Sequence, residues 1–213
     1  NFSNCYHDIN QFCVLDMSNF YLDIIKDRLY TSKTNSLARR AAQTTMYIIL
    51  DSLVKILTPM IPFTAEEIWK SMRHTKNEQL DSVALTDFPK PNEEYDNKEL
   101  SEKWDRILKL KDVVAKELEN ARAEKIIGHS LNAKVTMYTK GDEYKFLNDN
   151  IELLRTVFII SDLEIIEIDS EFKIKVEQAA GEKCERCWMY SVTLGEDKEN
   201  PTICHRCSEA IKE

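Results

Sequence analysis

The sequence predicts a multidomain, mainly α-helical chain. A helical bundle is expected over residues 1–122, a small α+β unit over 123–178 and a module built on four cysteines over 179–213. Three observations carry this expectation. Up to residue 122, apolar residues recur at intervals of three and four, the period of a helix with one buried face. Beyond residue 131, short runs alternate in twos and are rich in β-branched residues, as strands are. Near the end, four of the six cysteines fall in two C-x2-C pairs.

Residues 4–31 read as helix, with Cys5, Ile9, Phe12 and Cys13 on one stripe as buried thiols and hydrophobes. Asp16 or Ser18 is placed to cap a second helical segment carrying Phe20, Ile24, Ile25 and Leu29. The clearest helix is 35–57, where Met46, Ile49, Leu50, Leu53, Ile56 and Leu57 keep the period and Pro59 and Pro62 stop it. Thr64 with Glu67 forms a capping-box pattern for a short helix through Ile68 and Trp69. Residues 74–96, polar and holding Pro89 and Pro91, read as a long loop. Residues 97–122 return to helix, with Leu100, Trp104, Ile107, Leu108, Val114 and Leu118 on one side. Together these make a bundle of four or five helices. In the α+β unit, "LNAKVTMY" is a strand with Val135 and Met137 on one face. Residues 142–154 are a helix, and "TVFIIS", "LEIIEID" and "FKIKVEQ" are strands of a three- or four-stranded sheet.

The composition narrows function. The chain has 213 residues, 43% hydrophobic and 31% charged, with a net charge of −8. That balance argues against a general nucleic-acid binder, which presents a basic face. The first 60 residues nevertheless carry +1, leaving −9 for the rest, so a polyanion is steered toward the first part of the chain. Only four glycines occur, with no GxxxxGK[ST] and no GxGxxG, so a glycine-rich phosphate cradle is not expected. No apolar run reaches the ~20 residues of a membrane helix, and no secretory pattern opens the chain, which points to the cytoplasm. Since the first residue is Asn1 and not Met, the chain is expected to be processed or cut from a longer one.

Cys184, Cys187, Cys204 and Cys207 follow C-x2-C-x16-C-x2-C, the two-knuckle zinc spacing. Two thiolates three positions apart reach one ion from a tight turn, and two such turns supply a tetrahedron of sulfurs. The tail has few large apolar residues, so a metal in place of a core is expected to organise it as a four-cysteine zinc ribbon. With four protein ligands no position is left for water, and one Zn2+ would be structural. Disulfides are disfavoured in the cytosol, and a redox C-x2-C is usually unpaired. His205 lies between two ligands but is not needed by the paired pattern. His7, His74 and His129 sit at no metal or triad spacing. Lys183, Arg186, Trp188, Arg206 and Lys212 surround the cysteines. Two readings of Trp188 stand: an exposed stacking surface for an unpaired base, or a lid that packs over the knuckle. Residues 179–213 hold five Lys/Arg against seven Asp/Glu, so any contact with nucleic acid must be local and shaped.

"SNFYLDIIKDRLYT" and "ARRAAQTTMYIILDSLVKILTPMIPFTAEEIWKSM" resemble the helical anticodon-binding domain of class I aminoacyl-tRNA synthetases, most of all in "LTPMIPFTAEEIW". "ARAEKIIGHSLNAKV" is similar to the segment that follows this domain in isoleucyl and valyl enzymes. "EKCERCW" with "ICHRC" resembles the C-terminal zinc module of bacterial-type isoleucyl-tRNA synthetases. The resemblance covers nearly the whole chain. It implies a region that binds the anticodon arm of tRNA(Ile) and does no chemistry. ATP would be used only in the parent enzyme's catalytic domain, which lies outside this sequence and is the region's partner within the same polypeptide. It also implies a monomer. Catalytic residues are expected to be none, since no HIGH or KMSKS signature occurs. By the same resemblance Arg186 and Trp188 touch the anticodon loop, and Lys26, Arg28, Arg39 and Arg40 line the stem. For each of these four cations the plain alternative is a solvated surface charge.

Rival classes make different demands. The tail of a zinc-ribbon DNA-repair glycosylase needs an N-terminal catalytic Pro or Glu and a helix–turn–helix, and Asn1-Phe2-Ser3 supplies no such residue. A helical protein-interaction module needs an exposed apolar stripe and no RNA affinity. The equivalent region of a valyl enzyme is disfavoured by the four cysteines.

Overall fold

A computed structural model describes residues 2–74 and 80–212. The chain is mainly helical and carries a small sheet and a four-cysteine cluster. It divides into two compact units, one of residues 1–18 and 35–97, the other of residues 19–34 and 98–213. The division does not follow residue 122. Residues 19–34 and the helix that starts at Lys98 belong with the sheet.

The first turns are helical without a break. Helix α1 (Phe2–Gln11) passes into a π-helical segment (Phe12–Tyr21) and then into α2 (Leu22–Thr31). A cap at Asp16 or Ser18 is therefore not used. The chain widens its turns instead of restarting, and the widening shifts which side chains face inward. Cys5 and Cys13 are half-buried, not fully buried as expected, because α1 and the π segment contribute no fully buried residue.

In the first unit, α3 (Leu37–Leu57) begins where the Ser36 hydroxyl accepts the Arg39 N–H, and stops at Thr58, just before Pro59. Helix α4 (Pro62–Ser71) starts earlier than the capping-box pattern suggests. Pro62 stands in the first turn, its fixed φ suited to that place, and Thr64 lies inside the helix. Val54, Ala65, Trp69 and Val83 form the core of this unit, with Ile68 and Met72 against it. The loop that follows is tied to α4 by polar contacts. Trp69 Nε1 donates to the Leu80 carbonyl at 3.1 Å, and Glu66 accepts from the Ser82 hydroxyl at 2.8 Å and the Val83 N–H at 3.2 Å. Apart from two single 3₁₀ turns, residues 80–96 are irregular, as expected for the 74–96 loop; residues 75–79 lie outside the described residues.

In the second unit, α5 (Lys98–Ala123) buries Ile107, Leu110, Val114, Leu118 and Ala121. This stripe is rotated from the expected one, leaving Leu100 and Leu108 exposed, because Leu110 and not Leu108 continues the line from Ile107 to Val114. Helix α5 packs on α7 (Ile151–Phe158) and on β3 (Lys173–Gln178). The sheet runs β2-β1-β3, with β1 (Ala133–Thr139) parallel to β2 (Asp162–Glu167) and antiparallel to β3. Val135 pairs with Leu163 and Val176, and Met137 with Ile165 and Ile174. Both Val135 and Met137 are fully buried at the centre, as the alternation predicts. Helices α6 (Gly141–Asp149) and α7 replace the single helix expected over 142–154.

"TVFIIS" is not a strand. Thr156–Phe158 end α7, and Ile159 adopts a left-handed conformation (φ 56°) that closes the helix before β2. A short β-branched run looks alike in a buried helix and a strand. Here Leu154, Val157 and Phe158, spaced at three and four, are buried by the helix's packing.

Candidate metal centre and nucleic-acid cleft

The cysteine module is a short hairpin, β4 (Glu182–Lys183) with β5 (Tyr190–Ser191), followed by α8 (His205–Ile211). Gly181 opens the hairpin at φ 85°. A Cβ there would lie 2.2 Å from the Ser191 carbonyl oxygen, so only glycine fits. The first knuckle closes through the Trp188 N–H to the Cys184 carbonyl and the Cys184 N–H to the Met189 carbonyl, both 2.9 Å. In the second knuckle Cys204 stands at the start of α8, and its N–H donates to Cys184 Sγ at 3.3 Å. The buried Ser161 hydroxyl joins hairpin to sheet, accepting from the Tyr190 N–H at 2.7 Å and donating to the Leu131 carbonyl at 2.5 Å. Asp197 ties the intervening loop to α8, accepting from the Ser208 hydroxyl and from Lys212.

All four sulfurs lie within 4.8 Å of one another, and Cys187 Sγ and Cys204 Sγ are 3.8 Å apart. A tetrahedron of sulfurs at about 2.3 Å from one ion has an edge of roughly 3.8 Å. The set therefore fits a zinc-sized tetrahedral ion and is consistent with a zinc module. Its proton affinities point the same way. The hydrogen bond from Cys207, helped by the Met189 N–H and by Arg206, brings the Cys187 thiol down to about 4 against its burial. The partner thiol, Cys207, is pushed up by that same bond. A cation at the centre of the four sulfurs would take the place of the thiol protons. His205 stays outside it, beside Glu196 at 3.4 Å.

Next to the knuckle is a cleft of about 620 Å3 walled by α2, the turn before β1, the end of α7 and residues 186–189. Five cations line it (Lys26, Arg122, Arg155, Arg186 and Arg206) against two carboxylates, Asp23 and Asp27. A chain of net charge −8 therefore contains a locally positive cleft. Each cation has a partner in the structure. Lys26 pairs with Asp23 at 2.7 Å, Arg122 with Glu119 at 2.5 Å and Arg155 with Glu152 at 2.7 Å, all one helical turn apart. Such exposed one-turn pairs are weak, because water screens them. Arg186 and Arg206 instead contact α2 itself.

Two aromatics stand at this cleft. Tyr30 is 75% exposed and Trp188 60%. Trp188 is exposed and does not pack as a lid over the knuckle, and Lys183 Nζ lies 5.1 Å from its ring centre. Trp188 also holds a left-handed backbone, φ 65°. For a bulky residue that conformation costs about 1–3 kcal/mol, and glycine would adopt it freely.

Of the six residues expected at an RNA surface, the structure brings Lys26, Arg186 and Trp188 together at the cleft. Arg28, on α2, is not among the lining residues. Arg39 and Arg40 lie on α3 in the first unit, where Arg40 bonds Asn35 and Gln43. Sequence reasoning missed Asp27, Arg122, Arg155 and the turn-capping His129. Nothing in their local sequence marks them; only the fold gathers them.

The sequence of this chain matches two known families. The family described as "Anticodon-binding domain of tRNA ligase" matches residues 1–137, and "Zinc finger found in FPG and IleRS" matches residues 181–210. The chain belongs to the family of anticodon-binding domains of tRNA ligases. Among individual proteins it is 48% identical, over its whole length, to the isoleucine–tRNA ligase of Caldanaerobacter subterraneus subsp. tengcongensis, covering 24% of that protein. It is 49% identical over 99% of its length to that of Caldicellulosiruptor saccharolyticus, covering 23%, and 43% identical over 99% to that of Halalkalibacterium halodurans, covering 24%. The chain thus spans about a quarter of the curated relatives it matches. No helix among the described residues is long and apolar enough to cross a membrane.

Proposed function

We propose that this chain is the tRNA(Ile) anticodon-arm-binding region of an isoleucine–tRNA ligase. In this reading the helices up to residue 122 meet the arm, residues 123–178 form a junction, and residues 179–213 are the tip that meets the loop. The tip holds one structural zinc through Cys184, Cys187, Cys204 and Cys207. The region itself does no chemistry. ATP-dependent aminoacylation belongs to the catalytic part of the same cytoplasmic polypeptide, which acts as a monomer. The zinc-ribbon glycosylase tail and the protein-interaction module have less support, since residues 1–137 match an anticodon-binding domain and the whole chain aligns with isoleucine–tRNA ligases.

The observation that carries the proposal is Trp188, exposed at a cationic cleft in a backbone conformation that glycine would hold without strain. A fold retains such a residue there when the side chain is used. Anticodon bases are unstacked and open to an aromatic face, and stacking one base contributes about 1–3 kcal/mol. Lys26, Arg122 and Arg155 are placed to trade their one-turn carboxylate partners for phosphates. The test is a titration of the zinc-loaded chain with a tRNA(Ile) transcript and with the same transcript carrying a changed anticodon. Tighter binding to the native anticodon is expected. Equal affinity for both would refute an anticodon reader.

A further inference from the structure

The two knuckles share a detail that ligand spacing does not require. Each reads C-x-R-C, "CERC" at 184–187 and "CHRC" at 204–207, with arginine in the same place. Both arginines reach a single turn of α2. Arg206 lays its guanidinium fork on the Asp27 carboxylate, Nη2 to Oδ1 at 2.7 Å with Nη1 on Oδ2. Arg186 donates Nη1 to the Thr31 carbonyl at 2.6 Å and Nη2 to the Tyr30 carbonyl at 3.4 Å. Those carbonyls belong to the last turn of α2, where no further helical N–H is available and the helix end is partly negative. Thr31 is itself buried, and its hydroxyl completes the set by donating to Asp27 Oδ1 at 2.8 Å.

We propose that Arg186 and Arg206 are a paired latch that docks the metal-organised tip onto the last turn of α2, and that Arg186 is a positioning residue and not a reader of bases. The backbone of each arginine is pinned by a cysteine on either side, so the metal cluster fixes where both guanidiniums start. Helix α2 supplies matched receptors, one carboxylate and two helix-end carbonyls, within five residues. With both forks engaged, the groups left to meet RNA at the cleft are Trp188, Tyr30 and, by leaving their one-turn carboxylates, Lys26, Arg122 and Arg155. This division of labour rests on the proposed RNA reading, whereas the latch itself does not.

The test is amide hydrogen exchange in the zinc-loaded chain, followed across residues 24–34 and 182–190, with zinc content measured alongside. Asp27→Ala and Arg206→Ala are each expected to keep one zinc per chain and to speed exchange in the last turn of α2 about tenfold. The double variant should do no more than either single change, as for one coupled pair. Arg186→Ala should speed exchange in that turn as well. Should an alanine variant lose zinc, Arg206→Lys and Asp27→Asn take its place, and intermediate loss of protection is expected because charge or shape is kept without the fork. Unchanged exchange in every zinc-retaining variant, or additive effects of Asp27→Ala and Arg206→Ala, would overturn the latch. The two tRNA transcripts then separate the proposals. Wild type that binds both equally, with the exchange pattern as expected, refutes the RNA reading and leaves the latch standing. Selective binding with unchanged exchange refutes the latch alone.

Discussion

Trp188 concentrates two costs at one residue, a left-handed backbone and a large exposed apolar ring. Replacing it with glycine removes both. The released strain, about 1–3 kcal/mol, outweighs the roughly 0.5–1 kcal/mol of backbone entropy that glycine loses on folding. Trp188→Gly is therefore expected to melt no lower than wild type, and up to a few degrees higher in calorimetry, while tRNA(Ile) affinity falls roughly 5–150-fold. A large drop in melting temperature would show that Trp188 is a structural lid after all. Asp27 shows the converse, a residue whose importance is invisible locally. Burial works to raise its pKa, but the hydrogen bonds and charge of Arg206, with the Thr31 hydroxyl and the charge of Arg155, outweigh it and hold the carboxyl below its ordinary value. In the sequence it is one of three charges in "KDR", and its partner lies 179 residues away. The two arginines of the knuckles could be seen in the sequence; the helix that receives them could not.

Among the elements, the cysteine module depends most on something outside its own side chains. Its described core is Cys184, Cys204 and Cys207 with Cys187, Leu194 and Ile203 against them. That is too little apolar surface to hold about thirty residues against their chain entropy. Chelation by EDTA should therefore unfold residues 179–213 and free the last turn of α2, while far-UV circular dichroism keeps most of its helical signal. One cooperative loss of all helix, or no change in hydrogen exchange, would contradict this. The element types that came through from sequence were those with long periods or fixed spacing: α3, α5, β1 and the four cysteines. The strand expected at "TVFIIS" failed because a run of six residues, five of them β-branched or aromatic, carries no period long enough to separate helix from strand. The capping-box start of α4 failed because Pro62, three residues upstream of Ala65, was already suited to begin the helix.

At the scale of the whole molecule, net charge is a poor guide to local potential. The chain carries −8, yet five cations meet at the cleft beside the knuckle. Composition showed only a slight positive bias in the first 60 residues. The fold produces the cleft by bringing Lys26 from that stretch to Arg122, Arg155 and the two knuckle arginines. With Arg186 and Arg206 engaged on α2, RNA bound there neutralises at most three phosphates, through Lys26, Arg122 and Arg155. A slope of log affinity against log salt no steeper than about −2 follows for a single-stranded loop, at most a loss of roughly 20-fold from 50 to 200 mM. A steeper slope would place the main phosphate contacts elsewhere on the chain. A mainly helical chain with a small sheet and a four-cysteine cluster was legible because each of these has its own texture in the sequence. The inclusion of residues 19–34 in the unit with the sheet was not, because it depends on contacts between segments far apart in sequence.

The contact between α2 and the knuckles also bears on the order of events during synthesis. Asp27 is made 179 residues before Arg206, and Thr31 155 residues before Arg186. At about 5–20 residues per second, the end of α2 waits roughly 8–36 s on the ribosome for its partners. Until then the last turn of α2 lacks the two guanidiniums that meet it in the folded chain.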